Sequence, residues 1–117
     1  MTMQMPHDAV LLRIFFSEDD KFEGSPLHEA IVLKARELKL GGATVLRGHI
    51  GFGESYHIHT TKILQLSQDL PVIVEIVASK EKIDAFLPAL DEMMGSGGGL
   101  VTMQNVQVLQ YGRTKPR

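Results

Sequence analysis

Two short segments restrict the fold of this chain more than any other feature. Ala9 to Phe16 reads AVLLRIFF, and Val72 to Val77 reads VIVEIV. Each is apolar on both faces and broken once, by Arg13 in the first and Glu75 in the second. Runs this short and this apolar are strands held in the interior of a sheet. The segments around them supply the remaining elements. Ser25-Pro26 opens a helix, with Ser25 as N-cap and Pro26 at the first helical position. Leu27, Ile31, Ala35 and Leu38 form its apolar stripe, and Gly41-Gly42 ends it. Ala43 to Ile50 reads as a strand weakened by Gly48. Ser79 caps a second helix with Glu81 in its first turn, Pro88 inside it, and a stripe of Ile83, Phe86, Leu87, Leu90 and Met94. After the glycine run Gly95 to Gly99, a last strand spans about Leu100 to Leu109, with a slip in alternation near Asn105 that predicts a bulge or an early end.

The order β-α-β-β-α-β is the split, ferredoxin-like α+β arrangement: a four-stranded antiparallel sheet with two helices on one face. Right-handed crossovers put the first and third strands in the centre, where the two continuously apolar segments fall. The expected organisation is a flexible leader over 1–8, one domain over 9–110 and a basic tail over 111–117, carrying Arg113, Lys115 and Arg117. The stretch from Gly51 to Leu70 shows no clear period and reads as a long, mobile loop.

The chain is long enough for this. For 117 residues and 13.0 kDa, area scaling gives roughly 6,300 Å² folded against roughly 18,900 Å² unfolded. About two thirds of the surface is buried, so the core needs no staples. There is no cysteine, which removes disulfides, thiolate metal ligands and thiol nucleophiles. A net charge of −2 argues against a nucleic-acid binder. No apolar run reaches the ~18 residues of a membrane span. MTMQMPHDAV lacks a basic segment followed by an apolar one, so it is not read as a secretion signal, and a cytoplasmic protein is expected.

The second face of the sheet is the first pointer to function. Helices on one face leave the other to water, and such a sheet alternates apolar with polar. Here Leu11, Phe15, Ile73 and Val77 all turn to the second face. Either a loop folds across it or the chain oligomerises through it, and oligomerisation is the expectation. Arg13 and Glu75 share that face and read as a structural ion pair.

Other motifs each carry two readings. GHIGFG, Gly48 to Gly53, lets backbone N–H groups approach an anion, or simply opens a flexible loop. His49, His57 and His59 offer imidazoles for Zn²⁺ or Cu²⁺, although only Glu54 stands near as a further ligand. Gly95 to Gly99 is a phosphate nest or a helix stop. The carboxylates Glu18, Asp19, Asp20 and Glu23 read as a solvated loop, and no nucleophile has an evident base, so no enzyme is indicated.

Taken together, LLRIFFSEDDKFEGSPLHEAIVLKARELKLGGATVLRGHIGFG and IHTTKILQLSQDLPVIVEIVASKEKIDAFLPALDEMM resemble the DUF190 family of PII-like proteins, from about Leu11 to Val108. The resemblance implies a trimer with ligand clefts between subunits, each holding an adenine nucleotide, and a T-loop over 51–70. It places Gly51, Phe52 and Gly53 at the T-loop base, Gly97, Gly98 and Gly99 in a phosphate loop, and Thr44, Glu75 and Val77 near the base. Arg47, His59 and Thr60 belong to the DUF190 pattern and are taken as ligand contacts. The chain departs from PII proteins at Leu100, where they carry a lysine, and in VQVLQYG, where they carry paired arginines. A triphosphate is therefore poorly neutralised. The reading is a non-enzymatic regulator binding a small ligand, AMP or ADP, with the loop acting on an unidentified protein target. A metal sensor using His49, His57 and His59 and a ligand-free structural trimer stand as alternatives. No nucleic acid partner and no membrane insertion are expected.

Overall fold

The alternation of burial along the first strand sets the architecture. Val10, Leu12, Ile14 and Phe16 are buried, while Leu11, Arg13 and Phe15 between them are half-buried. The structure, a computed structural model, describes residues 7–51, 59–60, 70–95 and 97–112. Among the described residues ten elements follow in order: β1 His7–Ser17, β2 Lys21–Phe22, β3 Ser25–Pro26, α1 Leu27–Glu37, β4 Ala43–Arg47, β5 Ile50–Gly51, β6 His59–Thr60, β7 Pro71–Ala78, α2 Lys80–Met94 and β8 Leu100–Val108. The main sheet is antiparallel in the order β4-β7-β1-β8. The two apolar segments are its central strands, as the pattern requires.

One face of this sheet packs on both helices. Val10, Leu12, Ile14 and Phe16 of β1 and Val72, Val74, Ile76 and Ala78 of β7 meet Leu27, Ile31 and Ala35 of α1 and Ile83, Phe86, Leu90 and Met93 of α2. Each large apolar side chain removed from water here contributes about 1.5–3 kcal/mol. On the opposite face, Leu11, Phe15 and Ile73 stay half-buried and Val77 is exposed. Arg13 and Glu75 are register partners on that face, and Arg13 Nε donates to Glu75 Oε2 at 3.0 Å. The ion pair read from the sequence is present.

Several local expectations give way to tertiary contacts. Ser25 is not the N-cap of α1. Pro26 takes that position, because Ser25 and Pro26 pair with Phe22 and Lys21 in a small ribbon. The ribbon turns through Glu23 and Gly24, at φ 51° and 85°, the two positive values a two-residue hairpin demands. Nor does Gly41-Gly42 end α1. The helix stops at Glu37 and Lys39 takes φ 62°. The Lys39 N–H donates to the Arg36 carbonyl and the Leu40 N–H to the Ala35 carbonyl, both at 3.0 Å, which is a Schellman cap built on lysine. That reversal turns Leu40 into the core and leaves Leu38 exposed, so Leu40 completes the stripe. In α2, Ser79 caps as expected, its Oγ accepting from the Lys82 N–H at 3.3 Å, and Pro88 lies inside the helix. Met93 is the buried methionine of this helix, and Met94 is only half-buried.

The strand expected over 43–50 breaks after Arg47. Gly48 donates its N–H to the Pro71 carbonyl at 2.8 Å, and a Cβ at 48 would stand 2.9 Å from Pro71 Cγ. Beyond it, β5 pairs with β6, Ile50 opposite Thr60 and Gly51 opposite His59. The expected long loop therefore begins as a short ribbon, and its remainder, 52–58 and 61–69, lies outside the described residues. Neither the bulge nor the early end expected near Asn105 occurs, since β8 runs on to Val108. β8 keeps one register against β1 throughout, from His7 opposite Val108 to Phe15 opposite Leu100. Glu18 departs from the solvated-loop reading. Its side chain is 11% exposed and ion-paired with Arg47, and its N–H donates to the Leu70 carbonyl.

Candidate functional site

Because β1 starts where β7 ends, one end of the sheet gathers the first residues of β1 and β4 with the last of β7 and β8. A cleft of about 960 Å³ opens there. Thr44 and Glu75, register partners on adjacent strands, line it together with Val77, Ala78 and Ser79. The three residues assigned near a base by resemblance thus share one cavity. Its other walls are Gly41 and Gly42 after α1, His7 and Asp8 at the start of β1, Lys82 on α2, and Gln110 and Tyr111 after β8.

The walls are fixed by contacts between segments far apart in sequence. The Tyr111 hydroxyl donates to the Gly41 carbonyl. A glycine at 41 suits this close approach: a Cβ there would stand a tight 3.2 Å from the Val77 carbonyl oxygen and 3.4 Å from Tyr111 Cε1. Lys82 Nζ donates to the Lys39 carbonyl at 3.0 Å, a cation on the carbonyl-rich end of α1. Glu75 has Thr44 on one side and Arg13 on the other, so its carboxylate is tied back to the sheet.

The remaining candidates lie at the opposite end of the sheet. Arg47 ends β4 and is engaged by Glu18. Gly51 lies in β5 opposite His59 of β6, with Thr60 beside it. Gly97, Gly98 and Gly99 lead into β8, where a Cβ on Gly99 would stand 2.9 Å from the Phe15 carbonyl oxygen. Arg47 is three residues along β4 from Thr44, about 10 Å of strand. Arg47 therefore flanks the same edge of the sheet as Thr44, whereas Gly97, Gly98 and Gly99 lie at the opposite edge, beside β8, and neither Arg47 nor these glycines line the cleft. Phe52, Gly53 and His57 fall outside the described residues. His49 is exposed in the turn before β5. Among the described residues no cluster of three or more His, Cys, Asp or Glu forms a metal site.

With this geometry in view, the relatives are informative. The family model DUF190 (Uncharacterized ACR, COG1993) matches residues 9–108. The chain belongs to the DUF190 family. Among the relatives of this DUF190 chain is a UPF0166 protein of Aquifex aeolicus, 44% identical over 99 residues, covering 85% of this chain and 91% of that one. Its fold is that of PII-like proteins. CPII from Thiomonas intermedia K12, a nitrogen regulatory PII-like protein bound to ADP, AMP and bicarbonate, superposes with a TM-score of 0.70 at 15% identity, over 91% of this chain and 92% of CPII. A PII-like signalling protein from Thermus thermophilus gives 0.65 at 18% identity, over 89% and 92%. No helix among the described residues is long and apolar enough to cross a membrane.

Sequence reasoning misses Tyr111, Gly41, Lys82 and Glu18. It leaves Tyr111 in the basic tail, three residues beyond the end of β8. It reads Gly41 only as a helix stop. Lys82 and Glu18 carry no local pattern that marks their partners.

Proposed function

We propose that this DUF190 protein is a non-enzymatic, PII-like signalling protein of the cytoplasm. It binds an adenine nucleotide, AMP or ADP, in clefts between the subunits of a homotrimer. The segment 51–70 answers the ligand and acts on a protein target. The observation that carries the reading is the cleft in which Thr44, Glu75 and Val77 meet at the start of β4. β4 is an edge strand, so its outer N–H and C=O groups have no partner within the sheet. A base with alternating donors and acceptors matches such an edge. CPII, of the same fold, is described bound to ADP and AMP. The half-buried apolar face of Leu11, Phe15 and Ile73 supports the trimer, since such a face is stable when a second copy covers it.

The charges favour the smaller nucleotides. Leu100 replaces a lysine, and Arg47 is already engaged by Glu18. A phosphate near Arg47 must displace a carboxylate, and backbone dipoles from the glycines offset only part of each added charge. Titration of AMP, ADP and ATP under one salt condition is the test. AMP or ADP binds at least as tightly as ATP. A tenfold preference for ATP overturns the neutralisation argument, and no binding below a millimolar Kd overturns the nucleotide reading.

A further inference from the structure

We propose that Tyr111 is the platform on which the ligand's flat base stacks, a role that rests on the nucleotide reading above. Tyr111 is 66% exposed, a large apolar ring left facing the cleft. It is nevertheless not free to swing, because its hydroxyl is tied to the Gly41 carbonyl and its ring edge lies against Gly41. Exposed and held is the combination that stacking needs. The ring presents its π surface without the entropy loss of ordering it on binding. The cleft walls also include polar residues for the rim of a flat molecule, Thr44 and Glu75 among them, the latter with one carboxylate oxygen engaged by Arg13. The ligand class that fits is a nitrogenous heteroaromatic base, a purine before a pyrimidine because its two rings cover more of the tyrosine.

The protein offers a direct readout. It has no tryptophan and only two tyrosines, Tyr56 and Tyr111. In a Tyr56→Phe variant all tyrosine emission comes from Tyr111. Adenosine and ADP are the probes. Each quenches that emission, saturating at the midpoint found by calorimetry. Tyr111→Ala weakens ADP about five- to 150-fold, the range for loss of one aromatic–base stack. Tyr111→Phe keeps the ring and loses only its tie to Gly41, so it weakens ADP by less than Tyr111→Ala does. If ADP binds the wild type and Tyr111→Ala equally well, or binds without changing Tyr111 emission, the platform is wrong and the nucleotide reading stands. If the wild type binds neither adenosine nor ADP, both fall.

Discussion

Replacing Gly99 by alanine separates the structural from the ligand-binding share of the glycine run. Gly99 has φ +117°, a value that residues with a Cβ rarely adopt. The added Cβ would stand 2.7 Å from Met94 Cε and 2.9 Å from the Phe15 carbonyl oxygen. The methionine methyl is the end of a flexible chain and can turn away. The Phe15 carbonyl belongs to β1, a central strand paired on both sides, and cannot. Backbone strain costs about 1–3 kcal/mol and the forced shift a similar amount, so Gly99→Ala destabilises by about 2–6 kcal/mol. With a urea m-value of about 2 kcal/mol/M, the midpoint falls by roughly 1–3 M. The comparison is made at one protomer concentration, because assembly adds to apparent stability. Gly97→Ala is the control. Its Cβ meets only the Met94 carbonyl oxygen, at an ordinary 3.4 Å. Its midpoint stays within the change of about 0.5 kcal/mol typical of surface sites, so any loss of ADP affinity in Gly97→Ala reports on the ligand. A Gly99→Ala protein as stable as wild type, or equal losses in both variants, refutes the reasoning.

Two further outcomes are expected. Leu11→Asp, which sets a carboxylate among Val77 and Gln104 on the uncovered face, splits the proposed trimer into folded monomers by light scattering and circular dichroism; a wild type already monomeric at micromolar concentration refutes the trimer. Lys39→Gly relieves the left-handed C-cap of α1 and raises stability by about 0.5–1 kcal/mol, the conformational relief less the added freedom of the unfolded chain; a lower urea midpoint refutes it.

The parts of the molecule legible in the sequence are those written in local pattern. AVLLRIFF and VIVEIV fix the central strands because only two-sided burial tolerates them, and Ser79 announces its cap through its own side chain. What stays hidden depends on partners far along the chain. Lys39 enters a left-handed conformation because Leu40 is drawn into the core, which no local preference of lysine foretells. The slip at Asn105 carries no information on register, since the residues of β8 are largely exposed on both faces and alternation is not enforced there. For the site, Thr44, Glu75 and Val77, grouped by resemblance, line one cleft. Glu18 with Arg47 and Gly41 with Tyr111 are pairings of tertiary origin.

The placement of β1 between β7 and β8 has a consequence during synthesis on the ribosome. The first strand to emerge needs partners that arrive late: His7 waits for Val108 and Phe15 for Leu100. At about 5–20 residues per second, the nascent strand spends several seconds with both edges and much of its apolar surface unmet. AVLLRIFF is in that interval a strand-forming, weakly charged segment of the kind that pairs with neighbouring copies. Arg13, at its middle, is the one charge that interrupts such pairing before Glu75 has been made.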